Sequence, residues 1–252
     1  MRYYTAGSGA PLLFLHGGGT KAMTYRNNLE LFAQRYYVIA PDIPPFDASD
    51  MPPEVWDFRA YAEFFARFLD ELGCASLTVI GHSYGGGIAL CLAARSARVG
   101  RLVVIDAAGV SQYRLGTFVW RYFFEKYFHD FIQMQPKVFF RIQVDFIIDV
   151  LHHCTRLLQG IRLVFHALTP QYREQFARIT VPTLILWGEN DEIFPVSTAE
   201  SLHTMVTHSE LRIVAGNHDW CLSLNPPRIP RSSAAWVELA AVGNGGTMRT
   251  WK

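Results

Sequence analysis

The sequence predicts an α/β fold: a mostly parallel central sheet with helices on both faces, plus an inserted helical cap. Three observations predict it. Short, wholly apolar runs alternate with helix-spaced segments, the pattern of parallel strands covered on both faces. One of these runs leads directly into a glycine-flanked serine and a further apolar helix. The alternation then breaks off near Val110 for a long helical stretch rich in aromatic residues, and resumes after Ile179. The expected core is therefore residues 1–109 and 180–252, and the expected cap 110–179.

Each element has a local reason. Pro11–Leu15 is an apolar run that enters the loop His16-Gly17-Gly18-Gly19, a strand followed by a turn. Thr24–Gln34 has helical spacing through Tyr25, Leu29, Leu31 and Phe32. Tyr37–Ala40 is a second strand, stopped by Pro41. Phe58–Leu72 places Tyr61, Phe64, Phe65, Phe68, Leu69 and Leu72 at three- and four-residue steps, which makes one apolar helix face. Leu77–Ile80 is a third strand and Gly86–Arg95 the helix after its turn. Leu102–Ile105, Leu184–Trp187 and Leu211–Val214 complete the strands. Beyond Pro226-Pro227 only Ala234–Val242 has helical character, and the last residues read as loosely ordered.

Composition narrows the function. With 252 residues, half of them hydrophobic, the chain fits one domain with an insertion. A net charge of +1 argues against nucleic acid as a partner, since phosphate binding needs a basic surface. The four cysteines (Cys74, Cys91, Cys154, Cys221) have no CxxC spacing, so neither a zinc site nor a disulfide framework is expected. Cys74 and Cys91 read as small buried hydrophobes in a reducing compartment, and with no signal-peptide pattern in Met1–Ala10 a cytoplasmic protein is expected. Leu72–Ala94 carries no charge, but Gly81, His82, Ser83, Gly85, Gly86 and Gly87 interrupt it, so it is not read as a membrane span. Phe118–Ile148 interleaves Arg121, Lys126, Lys137 and Arg141 with aromatics. An interfacial helix has that pattern, but so does a cap helix with its basic residues toward solvent, and the second reading is preferred.

The chemistry centres on Gly81-His82-Ser83-Tyr84-Gly85. A G-x-S-x-G between a strand and a helix places the serine on a tight, strained turn, with small residues two before and two after it so that the chain can pack. Serine needs a base, and the base an orienting carboxylate. Asp191 follows the strand Leu184–Trp187, and His218 follows Leu211–Val214, the order expected for such a site. Of nine histidines, His218 is the one placed just after a late strand. His152, His153 and His166 fall in the expected cap, and His82 reads as structural. Asp106, at the end of Leu102–Ile105, is the competing acid. An oxyanion needs two convergent backbone N–H groups; Tyr84 and Gly18 are the candidates. The glycine run has no lysine at Walker spacing, so a nucleotide site is not expected. Trp220 and Phe194 are candidate substrate-binding residues. No metal and no cofactor is expected.

With these residues in place, the chain resembles the α/β-hydrolase fold family, in its small cap-bearing esterase and carbon–carbon hydrolase branch. The resemblance runs from about Tyr3 to Asn225 and is carried by Leu15-His16-Gly17-Gly18-Gly19, Ala40-Pro41-Asp42, Gly81-His82-Ser83-Tyr84-Gly85-Gly86, Gly188-x-x-Asp191 and Gly216-x-His218. It implies a two-step acyl transfer with an acyl-enzyme on Ser83, hydrolysed by water under His218. Three features depart from the family. In Asp42-Ile43-Pro44-Pro45-Phe46-Asp47-Ala48-Ser49-Asp50, Pro45 and Asp47 stand where two glycines are usual, which puts the loop's shape in question. Family members usually have an extra hairpin before the strand that ends at His16, and here only Met1–Ala6 remain to supply its second strand. The tail after Asn225 does not resemble the family's closing amphipathic helix.

The reading is a serine hydrolase (carboxylesterase-like) of a small hydrophobic ester or related acyl bond. A slow or non-hydrolytic ligand-binding member of the same fold is the alternative from another class. A C–C hydrolase, perhydrolase, lactonase or thioesterase would use the same triad.

Overall fold

The computed structural model describes residues 1–50, 52, 54–110, 140, 141, 143, 144, 147, 148 and 172–223. Most of the expected cap, and the whole tail with its helix candidate Ala234–Val242, lie outside the described residues.

Seven strands form one sheet: β1 Tyr3–Ala6, β2 Ala10–Leu15, β3 Tyr36–Pro41, β4 Leu77–His82, β5 Val99–Ile105, β6 Thr183–Gly188 and β7 Ser209–Val214. Their spatial order is β1-β3-β2-β4-β5-β6-β7. β1 runs antiparallel to β3, in register Tyr3 with Pro41 through Ala6 with Val38, so Met1–Ala6 supply an edge strand. Every other pairing is parallel. The five expected central strands appear where their apolar runs lie, each longer by one to three residues at an end. Pairing continues through Gly81 and His82, and through Thr183 and Gly188, because neighbouring backbones satisfy those groups whatever the side chain.

Alternation along the strands divides the core. Leu13, Leu15, Val79, Leu102, Val104, Ile185 and Trp187 face one side. Leu12, Phe14, Ile80, Val103, Ile105 and Leu186 face the other. On the first side pack α2 (Phe58–Glu71), α3 (Ser83–Ala93), α4 (Arg173–Phe176) and α5 (Val196–Met205). On the second pack α1 (Arg26–Phe32) and a 3₁₀ turn at Trp220–Ser223. The expected helix at Thr24–Gln34 is split into a 3₁₀ turn at Ala22–Tyr25 and α1, an opening that turns the Tyr25 ring into the core. α2 starts as expected because Asp57 caps it, accepting the Ala60 N–H at 2.9 Å. α3 starts three residues earlier than Gly86, at Ser83 itself. Glycine's poor helix propensity is overridden there by complete burial, since Tyr84 to Ala93 are all buried.

The chain leaves β2 toward β3 on one side and returns to β4 on the other. This switch in direction opens a crevice at the C-terminal ends of β2 and β4, where α/β sheets place ligands. His16-Gly17-Gly18-Gly19 and Ser83 both begin there.

Candidate active site

The turn after β4 has the strain its sequence predicts. Ser83 sits at φ +49°, in the left-handed region that a residue with a side chain seldom occupies. The flanking glycines are required by contact. A Cβ on Gly81 would strike the Gly85 carbonyl, and one on Gly85 would strike the carbonyls of Leu15 and His16. The turn is tied on both sides: Gly85 N–H donates to His16 O at 3.1 Å, and Ala108 N–H to Ser83 O at 3.0 Å.

Three side chains from three strand ends meet here. Ser83 Oγ lies 2.9 Å from His218 Nε2, and His218 Nδ1 lies 2.8 Å from Asp191 Oδ2. A carboxylate only accepts, so Nδ1 carries the hydrogen and Nε2 faces the Ser83 hydroxyl with its lone pair. The other Asp191 oxygen accepts the N–H groups of Ile193 and Phe194, both at 2.7 Å. Asp191 and His218 are buried, while Ser83 is partly open.

The two oxyanion candidates are adjacent. A Cβ on Gly18 would lie 3.4 Å from Tyr84 Cβ and 3.9 Å from the tip of Phe46. Gly17 is buried and its N–H is committed to the Tyr25 hydroxyl at 3.0 Å, whereas Gly18 is exposed. The loop is rigidly held. Burial pushes the His16 imidazole down to about 4, so it is neutral; Nδ1–H donates to Gly17 O at 2.8 Å and Nε2 accepts from Ile43 N–H at 2.8 Å. That second bond joins the glycine loop to the Asp42–Asp50 segment. There, Asp47 takes φ +46°, in the left-handed region, which aspartate tolerates better than most residues.

His82 is buried, and it touches the candidate base His218. Its Nε2 lies 3.0 Å from the His218 carbonyl and its Nδ1 2.6 Å from the Tyr25 hydroxyl. A carbonyl cannot donate, so Nε2 carries the hydrogen and Nδ1 accepts from Tyr25 O–H. Burial, with the neighbouring His218, pushes His82 down to about 4 and keeps it neutral. On the opposite side of the same residue, His218 N–H donates to Glu192 Oε2 at 3.2 Å. Neither contact was legible in the sequence. Glu192 is an acid on a loop, ordinarily a solvated position, and its one signal is its place directly after Asp191.

Of the substrate-binding candidates, Phe194 stands edge-on to His218, with ring centroids 5.5 Å apart. Trp220 packs on the other face of the sheet, in the cluster with Ile105, Leu186 and Cys221. Phe46, which sequence reasoning passed over, stands 6.1 Å from the Tyr84 ring, beside Gly18. Asp106, the competing acid, is fully buried at φ +47° and accepts Gly188 N–H at 2.7 Å. Two buried triplets, His82–His218–Asp219 and Asp106–Asp191–His218, bring metal-capable atoms within 4.8 Å of one another. In both, the imidazole nitrogens are already engaged by the bonds described above.

Comparison with known proteins bears on the fold. The family model for the alpha/beta hydrolase fold matches residues 10–165. The chain belongs to the α/β-hydrolase fold family. Among its relatives, 2-hydroxymuconate semialdehyde hydrolase of Pseudomonas sp. (strain CF600) is 28% identical over 240 residues, 86% of this chain and 83% of that one. A thermophilic esterase from Thermogutta terrifontis superposes with a TM-score of 0.77 at 20% identity, over 95% of this chain and 93% of that one. A meta-cleavage product hydrolase from Pseudomonas fluorescens IP01 gives 0.75 at 21%, over 95% and 92%. At those identities the two structures speak to the α/β-hydrolase fold alone. No helix among the described residues of this α/β-hydrolase is long and apolar enough to cross a membrane.

Proposed function

We propose that the protein is a serine hydrolase that cleaves a carboxylic ester or related acyl bond of a small hydrophobic substrate. The observation that carries this reading is the hydrogen-bonded chain from Ser83 Oγ through His218 to Asp191, with contacts of 2.9 and 2.8 Å, on a turn strained at the serine.

In the first half-reaction Ser83 Oγ attacks the substrate carbonyl carbon while its proton passes to His218 Nε2. The carbonyl electron pair moves onto oxygen, where the N–H groups of Gly18 and Tyr84 receive it. The tetrahedral species collapses, and the leaving alkoxide takes the proton from His218, which leaves an acyl group on Ser83. In the second, His218 removes a proton from water, the hydroxide adds to the acyl carbon, and Ser83 Oγ departs with the proton. Asp191 remains a carboxylate throughout, fixing the imidazole tautomer and balancing the imidazolium. Phe46 beside Gly18 and Phe194 beside His218 give the site apolar walls, which supports a hydrophobic acyl or aryl group.

A second reading is C–C bond hydrolysis by the same three groups, supported by the 28% identity with 2-hydroxymuconate semialdehyde hydrolase over most of both chains. Turnover of p-nitrophenyl acetate and butyrate, beside turnover of 2-hydroxymuconate semialdehyde, separates the two. If neither class is turned over and a fluorophosphonate leaves Ser83 unlabelled, the hydrolase reading fails and a ligand-binding member of the fold remains.

A further inference from the structure

Asp106 is a second buried carboxyl in a site that already has its acid. It closes β5, where its N–H donates to Leu186 O at 3.1 Å and its Oδ1 accepts Gly188 N–H at 2.7 Å. Both bonds fasten it to the end of β6, the strand whose loop carries Asp191. One side-chain atom each of Asp106, Asp191 and His218 lie within 4.8 Å of one another. Receiving the Gly188 amide needs only a neutral acceptor, which asparagine or serine would provide without burying an ionisable group.

We propose that Asp106 is a reserve carboxyl for His218: a positioning residue beside Asp191 that can orient the imidazole from the end of β5 when the Asp191 carboxylate is gone. The inference rests on the reading of Ser83, His218 and Asp191 given above.

The charge distribution follows from the hydrogen bonds. Asp191 receives two backbone N–H groups and the imidazole, so it is the better-stabilised anion. Two carboxyls this close do not both ionise readily. Burial first, then the Asp191 charge, hold the Asp106 carboxyl well above the usual carboxylate range, against the lowering effects of Gly188 N–H and the Trp220 indole. Asp219 also raises it, and Cys221 faces it as a thiol pushed up chiefly by burial. Removal of the Asp191 charge removes the largest of these electrostatic obstacles. Asp106 then gives up its proton to solvent, and its carboxylate accepts the hydrogen on His218 Nδ1.

The consequence is an unusual order of damage. In Asp191→Asn the amide oxygen keeps the Ile193 and Phe194 contacts and the NH₂ faces His218 Nδ1. The wrong tautomer is favoured, and Nδ1 then has no hydrogen to give Asp106. In Asp191→Ala the space is open. Asp191→Ala is therefore expected to retain about 10-fold more kcat/KM than Asp191→Asn. Asp106→Asn should cost about 10-fold more in the Asp191→Ala background than in the unaltered chain.

The test is a double-mutant cycle on ester turnover with Asp106→Asn, Asp191→Ala and both, with Asp191→Ser in parallel to keep an acceptor for the turn. The titration of the His218 imidazole is followed by NMR in the same four proteins. With the reserve carboxyl present, His218 titrates at higher pH in Asp191→Ala than in the double variant, because an adjacent carboxylate favours the imidazolium. Equal losses on Asp106→Asn in both backgrounds, or identical His218 titrations in Asp191→Ala and the double variant, overturn the proposal. The NMR arm needs no turnover. If the unaltered chain cleaves no ester and Ser83 resists fluorophosphonate, the proposed function fails while the titrations still decide the role of Asp106.

Discussion

His82 donates its Nε2–H to the backbone carbonyl of His218 at 3.0 Å, so the residue before the candidate nucleophile holds the loop that carries the candidate base. Glu192 grips the N–H of the same residue. His218 is thus fixed by its backbone from two sides and by its ring from two more.

His82→Ala should leave the sheet intact but release that loop. Displacement of a reacting group by an ångström costs about 100-fold in rate, and a loss of that order in kcat is expected with KM little changed. Stopped-flow kinetics on p-nitrophenyl butyrate reads it. An unchanged kcat would show that the His82 contact is purely structural.

Glu192→Gln keeps an acceptor for the His218 N–H, and Glu192→Ala does not. Gln is expected to stay within about 3-fold of the unaltered chain and Ala to fall by about 10-fold or more, since a buried N–H left unmatched costs about 1–3 kcal/mol. Equal activities would remove Glu192 from the positioning of His218.

Ser83→Ala should abolish fluorophosphonate labelling and lower ester turnover by about six orders of magnitude, as loss of a serine nucleophile does elsewhere. Asp191→Asn should cost about four orders through the misassigned tautomer. Labelling that persists in Ser83→Ala would place the nucleophile elsewhere.

The His82 contribution to stability should fall with acid. Burial depresses its folded pKa to about 4, from 6.5 for a free imidazole. Between those values the unfolded chain binds more protons, so the contribution is present above about 6.5 and is lost as pH falls toward about 4. His16, depressed likewise to about 4 by burial, acts in the same direction. Asp42, raised by burial to about 6, acts in the opposite one: its contribution is present below its unfolded pKa and is lost as pH rises through about 6. Urea melts of the unaltered chain and His82→Gln from pH 4 to 8 isolate the contribution of His82. The stability gap between them should be widest above about pH 6.5 and shrink toward pH 4. A gap independent of pH would mean that His82 is not held neutral.

Much of this was written locally. The apolar runs at Leu12–Leu15, Leu77–Ile80 and Leu102–Ile105 carry their burial in composition, because a central parallel strand has no polar face to hide. Gly81-His82-Ser83-Tyr84-Gly85 carries its turn, because only small residues fit against the Leu15, His16 and Gly85 carbonyls. The order of Ser83, Asp191 and His218 follows from strand ends that periodicity already marks. What tertiary structure alone decided are the contacts between distant segments. His82 reaches the carbonyl of His218, Phe46 reaches the glycine loop at Gly18, Trp220 goes to the far face of the sheet, and Asp106 comes within reach of His218. A sequence states which residues prefer to be buried, but strand order and register determine which of them meet. Here β4, β5, β6 and β7 lie side by side, and so Ser83, Asp106, Asp191 and His218 share one edge.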